Sequence, residues 1–117
     1  MYYNKILGGI VGDIVGSTRE WHNVKTEDFE LLPAGSRFTD DTVMTIAVAD
    51  AFLSLQQEGH GTKSKLIASL KEYGRKFPNA GYGTGFARWL FLGGKEPYNS
   101  WGNGSAMRVS GAAWLYD

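Results

Sequence analysis

Residues 39–55 read TDDTVMTIAVADAFLSL, and this stretch decides the fold class. A hydroxyl followed by two acids marks a helix N-terminus. The Thr39 side chain can accept a hydrogen bond from an otherwise unpaired backbone N–H, and the charges of Asp40 and Asp41 suit the positive end of the helix dipole. Apolar residues then follow on nearly every face: Val43, Met44, Ile46, Ala47, Val48, Ala49, Ala51, Phe52, Leu53 and Leu55. A helix without a polar face is one that other elements surround. Gly59 and Gly61 stop it.

On the N-terminal side, residues 18–38 form an irregular polar segment broken by Pro33 and Gly35, long enough to suggest a functional loop. Before it, residues 4–17 read as a first helix. Gly8, Gly12 and Gly16 recur every four residues with Gly9 beside them, and Ile6, Ile10, Val11, Ile14 and Val15 surround the stripe. Each glycine costs a helix about 1 kcal/mol relative to alanine, so the stripe predicts close approach by another backbone or a ligand. Asp13, inside this apolar run, reads as a buried, hydrogen-bonded structural carboxylate.

On the C-terminal side, Leu66, Leu70, Tyr73 and Phe77 fall at helical spacing opposite Lys63, Lys65, Lys71, Glu72 and Lys76. They predict an amphipathic helix from Thr62 that Pro78 ends. A glycine-rich turn over 79–85, a short helix over 86–92, a loop over 93–104 and a last helix from about Ser105 complete the chain. No strand-like alternation of useful length occurs, so the class is all-α, and 117 residues make a single domain, 1–117.

Composition bounds the function. With 43% hydrophobic and 21% charged residues the chain is globular in type and not disordered. Twelve basic residues balance twelve acidic ones, which argues against a nucleic-acid partner. The absence of cysteine excludes thiolate metal sites and cysteine nucleophiles. The apolar run near the start is too short and too polar to span a membrane, so the expected location is the cytoplasm. The 16 glycines, twice the usual share, need a reason.

Three places carry candidate chemistry. Thr39, Asp40, Asp41 and Thr42 gather hard oxygen donors suited to Mg²⁺, Mn²⁺ or Ca²⁺; read alone, the string is in the first place a helix cap. Trp101-Gly102-Asn103-Gly104-Ser105-Ala106-Met107-Arg108 is a glycine-rich loop entering a helix, which fits either an anion such as phosphate or a plain turn capped by Ser105. Glu20 lies in the long loop, as a general base, a metal ligand or a solvated acid. His22 and His60 look like surface residues.

Taken together and in order, these pieces resemble the N-terminal part of the ADP-ribosylglycohydrolase family, which includes the dinitrogenase-reductase-activating glycohydrolases. Gly8-Gly9-Ile10-Val11-Gly12-Asp13-Ile14-Val15-Gly16-Ser17 is similar to the family's opening helix. Glu20 stands where the family has a loop glutamate, and Phe38-Thr39-Asp40-Asp41-Thr42-Val43-Met44-Thr45 resembles its metal-binding signature. Asn79-Ala80-Gly81-Tyr82-Gly83 and residues 98–108 resemble two further loops. The resemblance implies a compact helical bundle that hydrolyses the glycosidic bond between ADP-ribose and an acceptor, with two divalent cations, Mg²⁺ or Mn²⁺. It implies metal-binding roles for Thr39, Asp40, Asp41 and Glu20, catalytic roles for Glu20, Asp40 and Asp41, and substrate contacts from Asn103, Gly104, Ser105, Ala106 and Met107. The family's second ligand group, an Asp-x-Asp-Thr element, has no counterpart here. The expected partners are ADP-ribose or an ADP-ribosylated protein, together with a complementing C-terminal half or a second copy in a homo-oligomer. The apolar run over 112–116 adds to that expectation of self-association. Two other readings stay open: a non-catalytic binder of ADP-ribose or a related nucleotide, and a degenerate fragment that only self-associates.

Overall fold

The computed structural model describes residues 3–115. Six helices follow one another: α1 (Tyr3–Gly16), α2 (Asp40–Glu58), α3 (Thr62–Lys76), α4 (Thr84–Phe91), α5 (Gly104–Arg108) and α6 (Ser110–Leu115), and the described residues contain no strand. The all-α reading holds. Residues 18–38 carry no helix, as Pro33, Gly35 and the polar run predict.

The longest helix, α2, is the axis of the molecule. Its start is built as the sequence dictates: Thr39 caps it from an extended backbone and its side chain accepts from the Asp41 N–H, while left-handed Gly59 closes the other end with its N–H on the Leu55 carbonyl. α1, α3, α5 and α6 all lie against it. Val43, Met44, Ala47, Val48, Ala49, Ala51 and Leu55 are buried on successive faces, and Leu90 of α4 joins them. This is the physical meaning of a helix that is apolar all round.

Small residues do permit close approach, but not where the glycine spacing predicts it. A methyl group at Gly8, Gly9, Gly12 or Gly16 would meet nothing within 4 Å, and Leu7 and Val11 on the same helix are 54% and 57% exposed. The stripe on α1 faces open space among the described residues, which corrects the expectation of a packed backbone there. The tight helix contacts lie elsewhere. At Gly74 of α3 an added Cβ would stand 2.4 Å from Leu90 Cδ2, and at Gly111 of α6 it would stand 3.1 Å from the Ala49 Cα on α2. Periodicity shows which residues share a face, whereas the chain's path decides which face is covered.

Two boundaries differ from expectation. The short helix starts at Thr84, two residues early, and the last helix divides at Val109 into α5 and α6. α6 folds back along α2, with Gln56 Nε2 donating to the Leu115 carbonyl. The apolar run over 112–115 therefore finds partial cover inside the chain, with Ala112, Trp114 and Leu115 half-buried and Ala113 exposed. Tyr116 and Asp117 lie outside the described residues.

Candidate functional site

The site is built on one carboxylate. Asp13, on the third turn of α1, points at the N-terminus of α2 and accepts four hydrogen bonds. Its Oδ2 takes the Thr39 N–H at 2.7 Å, the Thr42 N–H at 3.2 Å and the Thr42 hydroxyl at 2.6 Å; its Oδ1 takes the Thr39 hydroxyl at 2.6 Å. Two of the helix's orphan donors and both neighbouring hydroxyls end on this group. The reading of Asp13 as a hydrogen-bonded structural carboxylate is correct, although the residue is half-buried.

A second tie comes from the 79–83 loop, where the Ala80 carbonyl accepts the Asp40 N–H at 2.9 Å. Gly81, with φ +102, turns this loop past Asp40 Oδ1, 3.8 Å from where its own Cβ would be. Tyr82 follows and donates its hydroxyl to the Phe77 carbonyl at 2.8 Å. A third tie runs from α2 to α5: the Thr45 hydroxyl donates to the Met107 carbonyl at 3.0 Å. The backbone on both sides of Asp40 and Asp41 is thus set by bonds to distant segments.

The electrostatics follow from this crowding. Asp40 is pushed up to about 6, first by burial, then by the Asp41 charge, with Glu20 and Asp13 adding to it. Asp41 is also raised, by loss of water around it and then by Asp13 and Glu20, while Arg108 opposes the shift. Burial, then the Asp40 charge, pushes Tyr82 up to about 12. Glu20 is exposed on the long loop, yet its charge is felt by both aspartates. The loop is fixed at its root by Arg19, which donates to the Val15 and Glu30 carbonyls and lies over the Phe29 ring. Glu20, Asp40 and Asp41 thus lie within one field of like charge.

A cleft of about 910 Å³ opens between α3, α4 and residues 95–105. Phe86, Trp89, Tyr98 and Trp101 give it aromatic walls, and Lys63 and Lys95 stand on its rim. Trp101 is fully exposed there. Of the five residues expected to contact substrate, Gly104 and Ser105 line this cleft, while Asn103, Ala106 and Met107 do not. The Asn103 carbonyl accepts from the Ala106 and Met107 N–H groups, so Asn103 is the cap of α5 and Ser105 is not.

Arg108 connects the two regions. It lines the cleft, and its charge acts on Asp40 and Asp41. Burial lowers its pKa, against the opposing pull of Tyr98, Asp40 and Asp41. Sequence reading gave Arg108 no role of its own. The available signal was its spacing, four residues after Gly104, which on a helix sets it above that glycine.

The chain that carries this acidic cluster and aromatic cleft matches, by its sequence over residues 2–117, a family model for ADP-ribosylglycohydrolase. The chain belongs to the ADP-ribosylglycohydrolase family. ADP-ribosylhydrolase ARH3 of Xenopus tropicalis is similar to it, 28% identical over 142 aligned positions that cover 98% of this chain and 39% of that protein. ADP-ribosylhydrolase ARH3 of Mus musculus is 28% identical over 141 positions, covering 95% and 37%. The chain therefore spans about two fifths of the length of these relatives. No solved structure matches it at comparable strength.

The glycohydrolase family's metal role can be tested against these donors. Thr39, Asp40 and Asp41 present hard oxygens side by side, the chemistry Mg²⁺ and Mn²⁺ take. The Thr39 hydroxyl gives its proton to Asp13 and accepts from the Asp41 N–H, which leaves one lone pair. No group of three or more acidic, histidine or cysteine residues able to hold a metal occurs among the described residues. The donor type fits a hard cation; the donors gathered here form only part of an octahedral shell.

Proposed function

We propose that this chain supplies the Glu20, Asp40 and Asp41 portion of a site that hydrolyses the glycosidic bond between ADP-ribose and an acceptor. The site works with Mg²⁺ or Mn²⁺ and with a complementing half or second chain, in the cytoplasm. The observation that carries this reading is the junction at Arg108 of an acidic cluster, crowded enough to hold Asp40 at about 6, with a cleft walled by aromatic rings. A cluster of like charges favours a cation, and an aromatic, cationic cleft favours a nucleotide.

Within that reading each residue has a task. Tyr98 and Trp101 offer ring faces to a base beside the stacked Phe86 and Trp89, and Gly104 and Ser105 line the cleft with them. Asp13 holds Thr39 and Thr42, so the two aspartate side chains leave a fixed backbone. Asp40, Asp41 and the remaining Thr39 lone pair would hold a divalent cation, which when bound polarises water and fixes ribose hydroxyls. Glu20 accepts the proton of the attacking water as its oxygen bonds to the ribose carbon. The bond to the acceptor breaks, and the acceptor leaves with the proton that Glu20 took from the water. Positive charge developing on the ribose ring is stabilised by the carboxylates around it.

The test is release of ADP-ribose from ADP-ribosylated arginine or serine peptides, with thermal melting as the metal readout. Mg²⁺ or Mn²⁺ at about 100 times its dissociation constant raises stability by about 2.7 kcal/mol. Asp40→Asn with Asp41→Asn should remove both that shift and any release. Release that survives the double change defeats the metal assignment. Binding of ADP-ribose without release supports a nucleotide-binding protein instead.

A further inference from the structure

A second, smaller groove of about 320 Å³ shares no residue with the aromatic cleft. It forms where the chain enters α2 and where it leaves α3, with Arg37 and Phe38 from the first segment and Phe77, Asn79 and Ala80 from the second. The two phenylalanine rings meet edge to face with their centroids 5.6 Å apart, and they remain 41% and 40% exposed. An apolar pair left open to water and rimmed by polar groups has the makeup of a contact surface.

The polar groups of this groove are uncommitted. The Arg37 backbone is tied down, its N–H donating to Ser17 Oγ at 3.1 Å. Its guanidinium has no ion-pair or hydrogen-bond partner among the described residues, and neither has the Asn79 side chain. Lys76, also on the groove, is taken by Glu72 at 2.8 Å. Position gives this chemistry a use. Phe38 stands two residues before Asp40, and the Ala80 carbonyl accepts the Asp40 N–H at 2.9 Å. The groove is thus continuous through the backbone with the acidic cluster, which Arg108 joins to the aromatic cleft. A glycosidic bond held at Asp40 and Asp41 has two ends. The nucleotide end takes the cleft, and the acceptor end needs a surface of its own beside the aspartates.

We infer that the Phe38–Phe77 groove docks the acceptor polypeptide and selects an apolar side chain and a carboxylate flanking the modified residue. Arg37 pairs with the carboxylate, the rings cover the apolar side chain, and Asn79 bonds the peptide backbone. Charge sets the register: the aspartates repel a carboxylate at the modified position itself, whereas Arg37 attracts one beside it. The inference rests on the glycohydrolase reading given above and adds the acceptor sequences that the site favours.

The affinity of the 117-residue chain for free ADP-ribose and for two ADP-ribosyl-arginine peptides tests it. One peptide carries Glu and Phe beside the modified arginine; in the other, Lys replaces Glu. Calorimetry is run in Mg²⁺ with mass spectrometry following the intact peptide, and KM stands in for Kd where the peptide is cleaved. The glutamate peptide should bind about three- to tenfold more tightly than the lysine peptide at low salt, the worth of one exposed ion pair gained and one like-charge contact avoided. The gap should close toward about 1 M salt, where screening acts within about 3 Å. Arg37→Glu should reverse the order and leave free ADP-ribose affinity unchanged. Arg37→Gln should abolish the preference, and it decides the matter if Arg37→Glu does not fold. Equal affinity of wild type for the two peptides, or a preference that every folded Arg37 variant keeps, overturns this inference alone. Failure of wild type to bind ADP-ribose or either peptide overturns the glycohydrolase reading and this inference with it.

Discussion

Asp13 shows what a single residue can and cannot disclose. A carboxylate inside an apolar helical run must be hydrogen-bonded to be tolerated, so its structural role is legible from its neighbours. Its partners are not, because Thr39 and Thr42 lie 26 and 29 residues away. Asp13→Asn keeps the shape but turns one acceptor oxygen into an amide donor facing donors. The expected cost is about 2–3 kcal/mol, the order of a lost hydrogen bond to a charged group plus an unsatisfied donor. Thermal denaturation would measure it, and faster hydrogen exchange at the Thr39 and Thr42 amides would place it. An unchanged melting temperature would mean that this carboxylate does not hold the start of α2. The order of motifs leads one to expect Asp40, Asp41 and Glu20 as a set, whereas their mutual electrostatic effect depends on where the long loop lies.

At the scale of elements, helix existence was legible wherever capping and periodicity agreed, and partner choice was not. The α2 boundaries follow from Thr39, the two acids and Gly59. The amphipathic pattern of α3 shows its inner face but not that Ser69 is buried there and donates to the Ala47 carbonyl at 2.6 Å. Glycine separates the two kinds of knowledge most cleanly. Gly74→Ala would drive a methyl into Leu90, which is fully buried. Overpacking of this kind costs about 1–3 kcal/mol, measurable as a lower urea midpoint. Gly12→Ala adds a methyl in open space on α1. It should stabilise the chain by about 1 kcal/mol through helix propensity alone. A loss of stability at Gly12 instead would show that something covers that face in solution.

For the whole molecule, the division between covered and open surface sets the prediction. α2 is enclosed, α6 has folded onto it, and the outer face of α1 with Leu7 and Val11 stays open, as do Leu31 and Leu32 on the long loop. Exposed apolar surface of this kind favours association. Light scattering after size exclusion should report a species larger than 12.9 kDa at high concentration, and a clean monomer throughout would count against self-association. Among the described residues no helix is long and apolar enough to cross a membrane.

The sequence by itself determined the helical class, the ends of α2, the acidic start that carries Asp40 and Asp41, and the family, because these rest on local spacing and on motif order. Only the tertiary structure decided that Asp13 clamps that start, that the glycine stripe of α1 is uncovered while Gly74 and Gly111 make the close contacts, and that Arg108 joins the acidic cluster to the cleft. Each of those depends on segments far apart in the chain that the connecting loops bring together. Local periodicity fixes a side chain's face on its own helix; the loops fix what that face meets.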